Sequence, residues 1–180
     1  RLAMLAQAIG AVTGAVFGHT VEGANAVGAW QVGARPVSGG LNARQMVEQP
    51  RKAYVLMNLE PTLDHAFPAL AGKALAAAQT VIALTSYASE DLMAVADCLL
   101  PVSPFTETAG TFVNCEGLAQ SFNGVVRPAG DTRPGWKVLR VLGNLLELPG
   151  FEQETAEAVR DEALAAAAKA DNAITGSLAA

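Results

Sequence analysis

Apolar positions in the first segment fall at Leu2, Leu5, Ile9, Val12 and Val16, spaced by three and four residues. This spacing predicts a mostly buried helix that ends near Gly14 and Gly18. From Gly18 to Gly40 the chain is glycine-rich and aperiodic and reads as a long loop. Loops of that length in compact domains are usually functional or interfacial. The middle of the chain has a different rhythm. Ala53 to Leu59 and Thr80 to Thr85 are short apolar runs rich in strand formers, and Asp64 to Gln79 between them places Leu70, Ala74, Leu75 and Ala78 in helical register. Ser89 offers an N-cap, with Glu90 and Asp91 in the first turn of a helix over 90–96, where carboxylates suit the helix dipole. Asp97 to Pro101 is a third short strand, closed by proline. Strands apolar on both faces and alternating with helices predict an α/β fold, a Rossmann-like parallel sheet flanked by helices.

After Pro101 the periodicity disappears. Residues 101–135 are dense in Thr, Ser, Asn, Gly and Pro and are expected to form a long irregular loop region. It starts where the third strand ends, the edge at which open parallel sheets bind ligands and partners. A set of turns explains the same composition, with Gly110, Gly117 and Gly124 supplying backbone freedom and Asn114 and Asn123 making Asx-type hydrogen bonds. Pro134 then opens an amphipathic helix with Trp136, Leu139, Leu142 and Leu146 on one stripe. Pro149-Gly150 ends it, and an Ala-rich helix over 151–170 follows, with Glu152, Glu154 and Glu157 in its opening turns. The pattern divides the chain into an α/β domain over 1–150 and a C-terminal helix and tail over 151–180.

The 180 residues are 51% hydrophobic and 16% charged, with a mean hydropathy of +0.28, which excludes disorder, a collagen-like repeat and a disulfide scaffold. A net charge of −5 gives no electrostatic reason to expect nucleic acid or an anionic membrane as partner. No stretch is apolar enough to predict a membrane span. Ala24-Asn25-Ala26 has the form of a signal-peptidase site, but Gln7, Gly10, Thr13 and Gly14 interrupt the apolar segment before it. The start at Arg1 reads as a processed or excised chain.

Candidate chemistry is sparse. Cys98 and Cys115 are the two cysteines, too few for a tetrahedral zinc site or a four-cysteine cluster, and both are expected to be buried thiols rather than a disulfide. His65 reads as a surface or capping residue, and His19 with Glu22 as a polar turn contact. Glu107 and Glu116 bracket the Gly-rich loop, but their separation in sequence fixes no distance for acid–base work. Phosphate-binding glycine motifs, a nucleophile elbow and a Cys–His pair are lacking. No catalytic or metal site is predicted.

One resemblance adds to this. Ala96-Asp97, Leu100-Pro101, Glu107, Gly110, Thr111, Asn114, Glu116, Gly117 and Gln120 are similar to the signature of the molybdopterin oxidoreductase superfamily. Within it, PFTETAGTFVN at 104–114, SFNGVV at 121–126 and WKVLRVLGNLL at 136–146 most resemble the large iron–sulfur subunits of bacterial NADH:quinone oxidoreductase, respiratory complex I. Glu22 to Asn25, Gly28-Ala29, Gly33-Ala34 and Leu41 to Met46 fit the same subunits. The resemblance implies a carboxyl-side piece of a larger chain whose iron–sulfur clusters lie outside these residues. It implies a scaffolding role without bound cofactor, contacts with other domains and peripheral-arm subunits, and a place on the cytoplasmic face of the inner membrane without insertion into it. Residues 107–120 would then be a vestigial cofactor loop. The alternative is part of a catalytic molybdopterin enzyme such as a formate dehydrogenase, in which these loops help hold a molybdopterin dinucleotide. Leu118 departs from the family, which usually has arginine there, and leucine cannot grip a phosphate or carboxylate.

Overall fold

A computed structural model describes residues 2–18 and 20–178, with side chains followed to Ala168 in the last helix. Strands β1 (Ala53–Met57), β2 (Thr80–Thr85) and β3 (Cys98–Pro101) form a parallel sheet in the order β1-β2-β3, with Tyr54 opposite Val81 and Ile82 opposite Cys98. The fold is α/β, as the alternation of strands and helices predicts. Pro68 sits in the first turn of the crossover helix α4 (Pro68–Ala76), where its missing N–H costs nothing.

Because side chains alternate along a strand, Tyr54 and Leu56 of β1 face one side of the sheet, with Val81 and Ala83 of β2. They pack with Val47, Ala71, Ala74, Leu75 and Leu92. Those partners come from α3 (Ala43–Glu48), α4 and α5 (Glu90–Met93). Tyr54 fixes α3 against the sheet: its hydroxyl donates to the Met46 carbonyl at 2.8 Å and accepts from the Arg51 amide at 2.9 Å. Asn42 and Gln45 close a reciprocal capping box on α3. On the opposite sheet face Val55 and Met57 are exposed. The start of α6 (Gly135–Leu145) approaches Met57, and a Cβ on Gly135 would lie 2.5 Å from its Cε.

The stretch after β3 is an excursion that leaves and rejoins the sheet at one point. Val102 bridges Arg133, the Ser103 amide donates to the Arg133 carbonyl at 2.9 Å, and Ser103 Oγ donates to Thr132 Oγ1 at 3.3 Å. Within it lies an antiparallel hairpin of β4 (Gly110–Val113) and β5 (Ala119–Phe122), where an irregular loop is expected. The strands are short and open on Gly and Ala, so alternation barely registers in sequence. Phe112 and Phe122 meet edge to face, 5.2 Å between centroids.

Several other expectations change. Helix α1 (Leu2–Thr13) forms but buries none of its residues; its spacing records an apolar stripe, not a neighbour to cover it. The glycine-rich stretch 18–40 contains α2 (Ala26–Gln31), a helix too short and glycine-interrupted to show a period. The C-terminal helix α7 spans Ala156–Leu178 rather than starting at 151, because Gly150 takes a positive φ of 86° and Thr155 Oγ1 accepts from the Ala158 amide. On α6 the expected stripe is only partly covered: Trp136 and Leu139 are half-buried, whereas Leu142 and Leu146 are exposed. Ser89 stands at the N-cap of α5 but makes no capping bond, and its Oγ has no partner among the described residues. No helix among the described residues is long and apolar enough to cross a membrane.

Candidate functional site

The residues singled out in the sequence gather on the hairpin and on the helix packed against it. Asn25, at the N-cap of α2, reaches across the fold, and its Oδ1 accepts from the Val113 amide of β4 at 2.8 Å. Gly28 makes this approach possible. A Cβ there would collide with the Asn25 side chain and stand 3.1 Å from Val113 Cγ2. Gly110 has the same function on β4: a Cβ would lie 2.5 Å from Phe122 Cζ, so the ring can lie across the strand only over glycine.

At the hairpin tip, Asn114 Oδ1 accepts from the amides of Glu116 at 3.0 Å and Leu118 at 2.9 Å, and the Gly117 amide donates to the Asn114 carbonyl. Gly117 holds φ at 83°, the left-handed region that glycine enters without penalty. Asn114 therefore makes the expected Asx-type turn. Glu107 lies in a 3-10 turn, Phe105–Glu107, and its Oε2 accepts from the Ala129 amide at 2.9 Å, pinning the return arm of the excursion. Thr111 Oγ1 and Ser121 Oγ are 2.9 Å apart across the two strands. Gln120 is exposed on β5 opposite Phe112.

Three of these polar side chains, Asn25, Glu107 and Asn114, thus each turn a side-chain oxygen to this chain's own amides. The tip, residues 114–118, carries Glu116 and no cation. It does not fit the phosphates of a pterin dinucleotide, which call for cationic forks or clustered free amides.

The other candidates lie apart. Cys98 and Cys115 are both exposed, not buried: one opens the edge strand β3, the other sits at the hairpin tip, and neither place has a second layer above it. His65 is half-buried, and its Nδ1 accepts from the Phe67 amide at 3.0 Å, a turn contact before α4 that leaves the helix's own first-turn amides uncapped. His19 lies outside the described residues. Among the described residues no group of three or more His, Cys, Asp or Glu could hold a metal ion.

Sequence reasoning missed Asn25 as a tie to the hairpin and Arg160 on α7. Arg160 Nη1 donates to Ser121 Oγ at 3.3 Å, and its Nη2 pairs with Asp161 at 2.7 Å. The helical register of 156–164 was the available signal for Arg160, but register does not say what the helix lies against.

An α/β sheet whose last strand leads into a hairpin held by the N-cap asparagine of a short helix is the architecture on which comparison with known proteins bears. A profile of the molybdopterin oxidoreductase family matches residues 1–145, and the chain belongs to that family. Over 51 residues it is 43% identical to the mitochondrial NADH-ubiquinone oxidoreductase 78 kDa subunit of Candida albicans, covering 28% of this chain and 7% of that protein. It is also 41% identical over 51 residues to a provisionally named formate dehydrogenase of Staphylococcus aureus MRSA252, covering 28% of this chain and 5% of that one. A provisionally named formate dehydrogenase of strain USA300 gives 41% over 57 residues, covering 32% and 6%. The aligned stretch is thus well under a tenth of these relatives' length.

Proposed function

We propose that this chain serves as a scaffolding domain within the large iron–sulfur subunit of an NADH:quinone oxidoreductase. Electrons would pass through clusters carried elsewhere in the parent protein. The domain would face other domains and peripheral-arm subunits, at the cytoplasmic side of the membrane. The observation that carries this reading is the use made of the family's loop residues. Asn25, Asn114 and Glu107 each accept backbone amides of this chain, so their chemistry builds the hairpin and its anchor. Leu118 at the tip is exposed and uncharged, which suits packing against a neighbour better than holding an anion.

A second reading, part of a catalytic molybdopterin enzyme, draws on the formate dehydrogenase similarity, which equals the complex I similarity within two percentage points of identity. Fold is shared between the two and does not decide function. Metal and pterin analysis of the intact parent protein purified from its source separates them. Iron without molybdenum, tungsten or pterin is expected. Stoichiometric molybdenum or tungsten together with pterin would overturn the scaffold reading.

A further inference from the structure

Between α2, the β4–β5 hairpin, the start of α6 and the first turns of α7 lies a cavity of about 400 Å³, within the range of roughly 300–1,000 Å³ in which small-molecule sites fall. Its outer wall, α7, lies beyond the stretch that the family profile matches. Most of the lining is small or apolar, Gly28, Ala29, Val32, Trp136, Val159 and Ala163 among it. Asn25, Asn123 and Glu157 also line it, and two hydroxyls meet on the hairpin wall. Thr111 and Ser121 carry two hydroxyl protons, and their mutual bond of 2.9 Å uses one. Whichever oxygen donates, the second proton has no acceptor among the described residues, so the wall presents a spare O–H donor. Arg160 Nη1 adds a further donor beside it, at 3.3 Å from Ser121 Oγ.

Charge narrows the choice. Arg160 is held by Asp161 at 2.7 Å, and Glu157 also lines the cavity. One cation is therefore set against two carboxylates, an arrangement that opposes an anionic guest. A cation placed at the hydroxyl pair would meet the Arg160 guanidinium, whose Nη1 stands 3.3 Å from Ser121 Oγ. We infer that the cavity binds an uncharged, largely apolar ring compound bearing one carbonyl-type oxygen. Its ring lies beside the Trp136 indole, and its oxygen accepts from the Thr111–Ser121 pair.

The test uses the full chain, with acetophenone as probe and two matched controls: benzoate, which is anionic, and ethylbenzene, which has no oxygen. Binding is read from amide and indole N–H chemical shifts. Acetophenone should give saturable shifts at the Trp136 indole, Ala29 and Ala163. Benzoate should bind at least about ten-fold more weakly. Ala163→Leu, a helix-compatible change that fills the cavity, should abolish the shifts while leaving the resonances of Tyr54 and Leu92 in place. Thr111→Val combined with Ser121→Ala should erase the preference for acetophenone over ethylbenzene. No saturable shift, benzoate as tight as acetophenone, or a preference that survives the double substitution would overturn the inference.

Discussion

Tyr54 shows how much one side chain can hold. Its ring is 8% exposed within the core, while its hydroxyl joins the Met46 carbonyl to the Arg51 amide. Tyr54→Phe keeps the packing and strands both groups, so it should lower stability by about 1–3 kcal/mol. Urea unfolding would read this as a lower midpoint with an unchanged slope. Asn25→Ala removes the acceptor of the Val113 amide; hydrogen exchange at Val113 should accelerate markedly, with little change at Val81 in the sheet. The two cysteines are exposed, and iodoacetamide should alkylate both in the folded chain, read as two adducts in the intact mass. A residue whose role is local was legible in sequence: Asn114 makes its Asx turn. Thiol burial was not legible, because it depends on what packs over the strand end and the hairpin tip.

The β-α-β-α-β run between Ala53 and Pro101 was the clearest element-scale reading, and the observed strands fall within the expected ones. Its signal was strong because alternating apolar runs, a helical register and a proline-closed strand agree at every level. The hairpin was hidden for the opposite reason. Its strands are short, and its register rests on the Phe112–Phe122 contact and on Gly110 rather than on a long alternation. Gly110→Ala places a methyl group against the Phe122 ring and should destabilise the chain by about 1–3 kcal/mol, seen as a lower thermal midpoint. Helix α2 went unseen in the same way, since six residues containing a glycine carry no period.

At the scale of the whole molecule, apolar surface is the dominant feature. Leu2, Met4, Leu5 and Val12 of α1 are each more than half exposed, as are Leu145 and Leu146 at the end of α6. Exposed apolar side chains in such number favour association. The weight-average sedimentation coefficient of the isolated chain should therefore rise with concentration. Leu5→Glu combined with Leu145→Glu should return it towards the monomer value; concentration-independent monomers of the unsubstituted chain would contradict the expectation. Faces left open in this way also agree with a scaffolding role, in which neighbouring domains or subunits supply the cover.

What the sequence determined by itself was local and additive: where apolar runs alternate with helical registers, which residues cap and turn, and which family signature the 96–151 stretch carries. Each of these depends on neighbours a few positions away, so each is written in the order of residues. Tertiary structure alone decided the rest. It set Asn25 against Val113, folded the excursion back so that Arg133 meets Val102, left α1 and both thiols uncovered, and brought α7 beside the hairpin to border a cavity next to Trp136. These features join residues far apart in the chain, and a periodicity states that a face is apolar without stating what will meet it.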